Sequence, residues 1–200
     1  LGYPFCRGRI FEMVEKDTAQ YDTVMSIFWA TGAALLIRQT DYQMAGGLDG
    51  RFFAHNEEID LCWRLRSRGR MIVCVPQSRV YHVGGATLKK ENPRKTFLNF
   101  RNNLLMLYKN LPETELNAVM RMRFVLDYVA AVVFILKRDW KNAVAVYKAR
   151  KEYASMRPSF KADREENLRR TVVSDIPERK KYSIVWQSKL KGKKRFVQLP

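Results

Sequence analysis

Three spacings of hydrophobic and polar positions succeed one another along the chain. Residues 28–37, FWATGAALLI, form an almost unbroken apolar run that predicts a buried strand. Thr40 and Asp41 then open a short helical turn that Gly46 and Gly47 end. Ile59, Leu61, Cys62, Trp63 and Leu65 predict a short amphipathic helix with an acidic first turn and a natural stop at Gly69. A β-rich run over residues 71–75, stopped by Pro76, and a shorter one over residues 80–83 follow. This alternation of strands and helices favours an α/β layer.

After Pro93 the spacing becomes helical throughout. Asn92 and Pro93 supply a cap and a first helical position, and Phe97, Phe100, Leu104, Leu107, Tyr108 and Leu111 recur at steps of three and four. Pro112 ends that helix. A second begins near Glu113, and its apolar segment, residues 124–136, is interrupted only by Asp127. That segment is shorter than the roughly 20 residues needed to span a bilayer. A third helix, from Asp139 to near Ser155, sets Trp140, Ala143, Val144 and Tyr147 on one face and Lys141, Lys148 and Lys151 elsewhere. Beyond Pro158 the chain turns polar and ends in KLKGKKRF before its last residues, which predicts poor order. The expected organisation is residues 1–90, an α/β unit; 91–157, a helical extension that either associates with a membrane surface or packs on the first unit; and 158–200, a basic tail.

A hydrophobic content of 46% over 200 residues excludes wholesale disorder. Cys6, Cys62 and Cys74 form no Cys-x-x-Cys pair and are odd in number, which points to free thiols and a reducing, cytosolic compartment. Charge is uneven: residues 1–90 hold 12 Lys or Arg against 9 Asp or Glu, a net of +3, and residues 91–200 hold 25 against 11, a net of +14. Anionic lipid, nucleic acid or an anionic substrate would each answer that excess.

The candidate chemistry lies between Glu57 and His82. Glu57, Glu58 and Asp60 open the short helix, and His82 follows the last β-rich run. Carboxylates and an imidazole meeting in one cleft suit general-base chemistry beside a metal ion. The plainer readings are that the carboxylates complement a helix dipole, that His82 is satisfied by a backbone carbonyl, and that Trp29, Thr31 and Gly32 belong to a core. Adjacent Glu57 and Glu58 point in different directions on a helix and cannot easily flank a scissile glycosidic bond, so a hydrolase is the weaker reading.

An ordered set of motifs supports a resemblance. Thr31, Gly32 and Ala33, then Gly46, Gly47, Leu48 and Asp49, then the pair Glu57 and Glu58, and finally His82 occur in the order of the second half of the catalytic domain of family 2 glycosyltransferases. These are inverting enzymes that use a nucleotide-diphosphate sugar, and the resemblance covers roughly residues 20 to 110. It implies an α/β fold, a partial GT-A domain followed by an α-helical extension, with residues 1–90 as the acceptor-side half. It further implies Glu58 as the base that takes the proton from the acceptor hydroxyl, with Glu57 orienting the site or binding acceptor. Trp29, Thr31 and Gly32 would face a sugar, Asp60 would bind substrate or serve as an ion-pair partner, and His82 would be a ligand to Mn²⁺ or Mg²⁺. Arg51 is expected to be solvated or to stand beside the diphosphate. The implied partners are a nucleotide-diphosphate sugar donor and a saccharide or lipid-linked acceptor, handled in the cytoplasm at the inner surface of the membrane.

Two departures from the family pattern stand out. The acidic pair is Glu57-Glu58 where the family usually has Glu-Asp or Asp-Asp, and nothing before residue 20 supplies a βαβ nucleotide-binding half or an Asp-x-Asp. With Leu1 in place of Met, the expectation is a fragment of a longer protein, inactive by itself. The alternative reading is a basic helical module that binds nucleic acid or membrane without catalysis; the absence of a nucleic-acid motif among the basic residues makes nucleic acid the weaker of those partners.

Overall fold

The structure, a computed structural model, describes residues 2–82 and 92–200. It is mixed and mostly helical, with two small antiparallel sheets. β1 (Arg9–Ile10) pairs with β2 (Met13–Val14), and β3 (Met25–Ser26) pairs with β4 (Val73–Cys74), Met25 opposite Cys74. The helices are α1 (Gln39–Ala45), α2 (Glu57–Ser67), α3 (Pro93–Asn110), α4 (Glu113–Leu136), α5 (Trp140–Met156) and α6 (Lys161–Arg169).

The helices form where the local signals place them. Gly46 caps α1 in the left-handed region at φ 84°, and Gly69, just past α2, adopts φ 81°. Asn92 caps α3 by accepting from the backbone N–H of Arg94 at 2.9 Å, with Pro93 in the first turn. α3 is the central element: Leu98, Leu104, Leu105, Met106 and Leu107 are buried, and α2, α5 and α6 all pack on it. The main core joins Phe52, Trp63, Leu104, Tyr153, Phe160 and Ile176, with the rings of Phe52 and Phe160 edge to face at 6.0 Å. All three cysteines are free; Cys62 is buried, Cys74 half-buried and Cys6 exposed.

The strands differ from the pattern. Residues 28–37 do not extend as a strand; residues 32–34 form a 3₁₀ turn and Leu36 is 99% exposed. A strand needs a neighbour for its backbone N–H and C=O groups, and β4 supplies one only for Met25, Ser26 and, through the carbonyl of Ile72, the N–H of Ile27 at 2.9 Å. Residues 80–82 carry no regular structure. The end of that run at Val83 and the expected boundary at residue 90 lie outside the described residues.

The stretch for which polarity predicts poor order instead contains α6 and buries Phe160, Ile176 and Ile184. Its anchors are polar. Arg164, buried, donates to the carbonyl of Leu111 at 2.7 Å and to that of Tyr108. A few of the basic residues are likewise interior: Arg101, Arg123 and Arg164 are buried and pair with Glu152, Asp127 and Glu113, so the net excess is carried by the others.

Candidate functional site

The chain enters α2 through a strained turn. Phe53, His55 and Asn56 have φ of 65°, 72° and 71°, a region that costs a non-glycine residue on the order of 1–3 kcal/mol. α3 holds the turn in place. The fully buried Asn102 sets its Nδ2 at 2.8, 2.7 and 2.8 Å from the carbonyl oxygens of Phe52, Ala54 and His55. Arg101 adds donations to the carbonyls of Arg51 and Phe52 at 3.2 and 3.1 Å. The turn delivers Glu57 and Glu58 to the first turn of α2, where unpaired backbone N–H groups favour negative charge.

Glu58 combines burial with an unpaired carboxylate oxygen. Its Oε2, like that of Glu57, is buried and finds no hydrogen-bond partner among the described residues. Burial raises its carboxyl above the usual range and the charge of Glu57 adds to this, while its own backbone N–H opposes them. A carboxylate less stabilised as an anion, with a free acceptor oxygen, takes up a proton more readily. Gly32 lies alongside: a Cβ there would stand 4.0 Å from the Cβ of Glu58. One turn further along α2, burial pushes the Cys62 thiol up to about 11, with Glu58 adding to the rise and a hydrogen bond from the Ala30 backbone opposing it. The first half of α2 therefore packs against the stretch around residues 30–32.

That stretch borders a cleft of about 1910 Å³ whose lining includes Trp29, Thr31, Gly32, Trp63, Arg70 and Arg179. Trp29 is half-buried and packs on the main core, whereas Thr31 and Gly32 are exposed. Three residues expected to face a sugar thus share one cleft, and Gly32 connects it to Glu58. An indole face and an open glycine backbone suit a sugar ring.

Asp60 points the other way. It is fully buried; its Oδ2 accepts from Arg64 Nε and Lys109 Nζ at 3.0 Å each, and its Oδ1 accepts from Asn110 Nδ2 at 2.7 Å. Lys109 also donates to Asp49 at 2.8 Å, and Arg64 reaches the carbonyls of Ala45 and of Gly47, the latter at 2.7 Å. Burial alone would raise the Asp49 carboxyl, but hydrogen bonds from Arg51 and Lys109 outweigh it and hold the group well below the usual carboxylate range. Asp60 is therefore the ion-pair partner that ties α2 to α3 and to the Gly46-Gly47 turn. Arg51, on the same network, pairs with Asp49 and Asp163 at 2.7 and 2.9 Å and lies 3.8 Å from the centre of the Phe160 ring.

His82 is exposed, beyond β4 and beside the undescribed segment. Among the described residues no three His, Cys, Asp or Glu side chains gather where a metal ion would sit. The other histidine, His55, lies at the acidic pair instead. Burial lowers its imidazole below the ordinary value and Lys95 adds to this, with Glu57 opposing; its Nε2 is buried without a partner among the described residues. His55 and Asn102 escape the sequence reading. The available signals were the position of His55 immediately before the Asn-Glu-Glu run and the polar run Arg101, Asn102, Asn103 inside the apolar period of α3.

No protein-family profile matches the chain, and no solved structure does. Two kinds of curated relative do. An N-acetylglucosaminyl-diphospho-decaprenol L-rhamnosyltransferase of Mycobacterium tuberculosis is 39% identical over 54 residues, 27% of this chain and 18% of the relative. The rhamnosyltransferase WbbL of Escherichia coli is 33% identical over 69 residues, 34% of this chain and 25% of the relative. The matched stretches thus span no more than a quarter of the relatives' own length. Over that part the chain is similar to enzymes named for transferring rhamnose, and the similarity supports a glycosyltransferase.

Proposed function

We propose that this chain is the acceptor-side, base-bearing part of an inverting glycosyltransferase that moves a sugar from a nucleotide-diphosphate donor to a saccharide or lipid-linked acceptor in cell-surface polysaccharide synthesis. The observation that carries the proposal is Glu58: a half-buried carboxylate with a free oxygen, next to Gly32, which lines the same cleft as Trp29 and Thr31. Local similarity to two rhamnosyltransferases makes a deoxyhexose the first donor sugar to test.

The chemistry assigned to this chain is proton removal. Glu58 takes the proton of an acceptor hydroxyl as that oxygen forms its bond to the anomeric carbon; the bond from that carbon to the diphosphate breaks, and its electron pair leaves with the diphosphate. Attack from the face opposite the leaving group inverts the anomeric centre. Glu57, whose charge helps keep the Glu58 carboxyl high, orients the pair or meets the acceptor. The strained turn held by Asn102 fixes both carboxylates, so little reorganisation accompanies proton transfer.

The resemblance also implies Mn²⁺ or Mg²⁺. His82 would be one ligand; among the described residues no three His, Cys, Asp or Glu side chains gather into a metal site. The test of the function is transfer by the full-length protein from nucleotide-diphosphate rhamnose and other nucleotide-diphosphate sugars, with the anomeric configuration of the product read by NMR. An inverted product supports the proposal; retention, or no transfer from any donor, contradicts it.

A further inference from the structure

α4 is built with its polar side inward. Arg123 and Asp127 are 1% and 0% exposed. Arg123 donates from Nε and Nη2 to Asp127 Oδ1 at 3.1 and 3.0 Å and from Nη1 to Asn103. Arg150 of α5 donates to Asp127 Oδ2 at 2.6 Å, and the Tyr3 hydroxyl lies 3.3 Å from Oδ1. The opposite side of α4 carries Val125, Val129, Val132 and Leu136, spaced by four, three and four residues, with exposures of 55%, 52%, 53% and 77%. At 1.5 Å per residue this stripe is about 17 Å long. α5 packs beside α4 and adds exposed Trp140, Val144 and Tyr147, again at steps of four and three.

The charges around these rows have one sign. Between residues 117 and 151 the exposed charged side chains are Arg121, Lys137, Arg138, Lys141, Lys148 and Lys151, all basic, and the exposed acid just beyond, Glu152, pairs with Arg101. The two acids of that stretch serve the fold: Asp127 is buried, and Asp139 caps α5 by accepting from the N–H of Asn142 at 3.1 Å. A contiguous exposed apolar face marks a contact surface. A second copy would bring two basic rims together, whereas an anionic bilayer answers both features, accepting valine and leucine below the headgroups, tryptophan and tyrosine among them and lysine at the phosphates. Among the described residues no helix is long and apolar enough to cross a membrane.

We infer that the outer faces of α4 and α5 dock in the headgroup region of an anionic lipid bilayer, with α4 lying along the surface. This rests on the exterior of the two helices and is independent of the transfer chemistry. The test is flotation of the full-length protein with vesicles of phosphatidylcholine alone and with added phosphatidylglycerol. The protein floats with the anionic vesicles, is partly released by high salt, and binds phosphatidylcholine weakly. Val129→Asp combined with Val132→Asp lies at exposed positions, preserves the circular dichroism spectrum and abolishes flotation. Lys137→Gln combined with Lys141→Gln weakens partitioning by on the order of fivefold per charge removed. Undiminished flotation of either variant overturns the inference. So does failure of the wild type to float, and sedimentation as a dimer that Val129→Asp dissociates would then assign the face to a second copy.

Discussion

Replacing Asp60 with Asn removes one negative charge from a fully buried cluster while keeping the size of the side chain. Arg64, Lys109 and Asn110 all donate to its two oxygens at 2.7–3.0 Å. An Asn amide offers one oxygen in their place and turns an N–H₂ toward groups that are themselves donors. Removing one partner from a buried ion pair costs about 3–5 kcal/mol. Lys109 keeps Asp49, and Arg64 keeps the carbonyls of Ala45 and Gly47, so the lower end, near 3 kcal/mol, is expected. With a urea m-value toward the top of the usual range of about 1–3 kcal/mol/M, the midpoint falls by roughly 1 M. Equilibrium urea unfolding monitored by circular dichroism measures it. A double variant with Lys109→Met should lose less than the sum of the single changes, with a coupling of about 1 kcal/mol or more, because the lysine no longer sits opposite an amide. A midpoint within about 0.2 M of wild type, or strict additivity, would refute the view that Asp60 is the ionic tie between α2 and α3.

Other expectations follow from the turn and the acidic pair. Asn102→Ala leaves the carbonyls of Phe52, Ala54 and His55 without their shared donor, and a loss of about 2–4 kcal/mol in urea unfolding is expected, with a loss below about 1 kcal/mol counting against the clamp. Burial raises the Glu58 carboxyl above its unfolded value, so the stability it supports is complete below the unfolded value of about 4.3 and is lost as pH rises through the folded one. Glu58→Gln should therefore be more stable than wild type at pH 7 and should converge with it near pH 4; a variant less stable at pH 7 would show that the carboxylate is paired. If His82 is a metal ligand, His82→Ala in the full-length protein raises the Mn²⁺ required for half-maximal transfer, and an unchanged requirement returns it to a surface role.

The sequence made the helices legible because their signals are local. Gly46, Gly69, Asn92 with Pro93, and Pro112 each mark a boundary through the dihedral the residue adopts, the acceptor it supplies or the N–H it lacks. The strand expected at residues 28–37 was not legible in this way, because a ladder depends on a partner, and β4 offers only two paired residues. Hydrophobicity also missed the docking of residues 158–200, since Arg164 anchors that stretch through buried hydrogen bonds to the carbonyls of Leu111 and Tyr108. The period of α4 was plain but its orientation was not. An apolar stripe reads alike whether it faces inward or outward, and only the contacts of Asp127 with Arg123 and Arg150 decide the matter. At the site, motif order pointed to Glu57 and Glu58, and the buried free oxygens add a physical reason to select them. The left-handed turn at His55 and Asn56 depends on Asn102, 47 residues beyond His55, and no local pattern announces it.

The central claim is that Glu58 removes the acceptor proton, and single-turnover transfer by Glu58→Gln and Glu57→Gln in the full-length protein tests it most directly, with donor binding measured in parallel. Glutamine keeps the size and polarity of the side chain but cannot take the proton. The account predicts that Glu58→Gln binds donor normally and transfers at least about a hundredfold more slowly, while Glu57→Gln retains much of its rate. A fast Glu58→Gln, or the reverse ranking of the two variants, would contradict it.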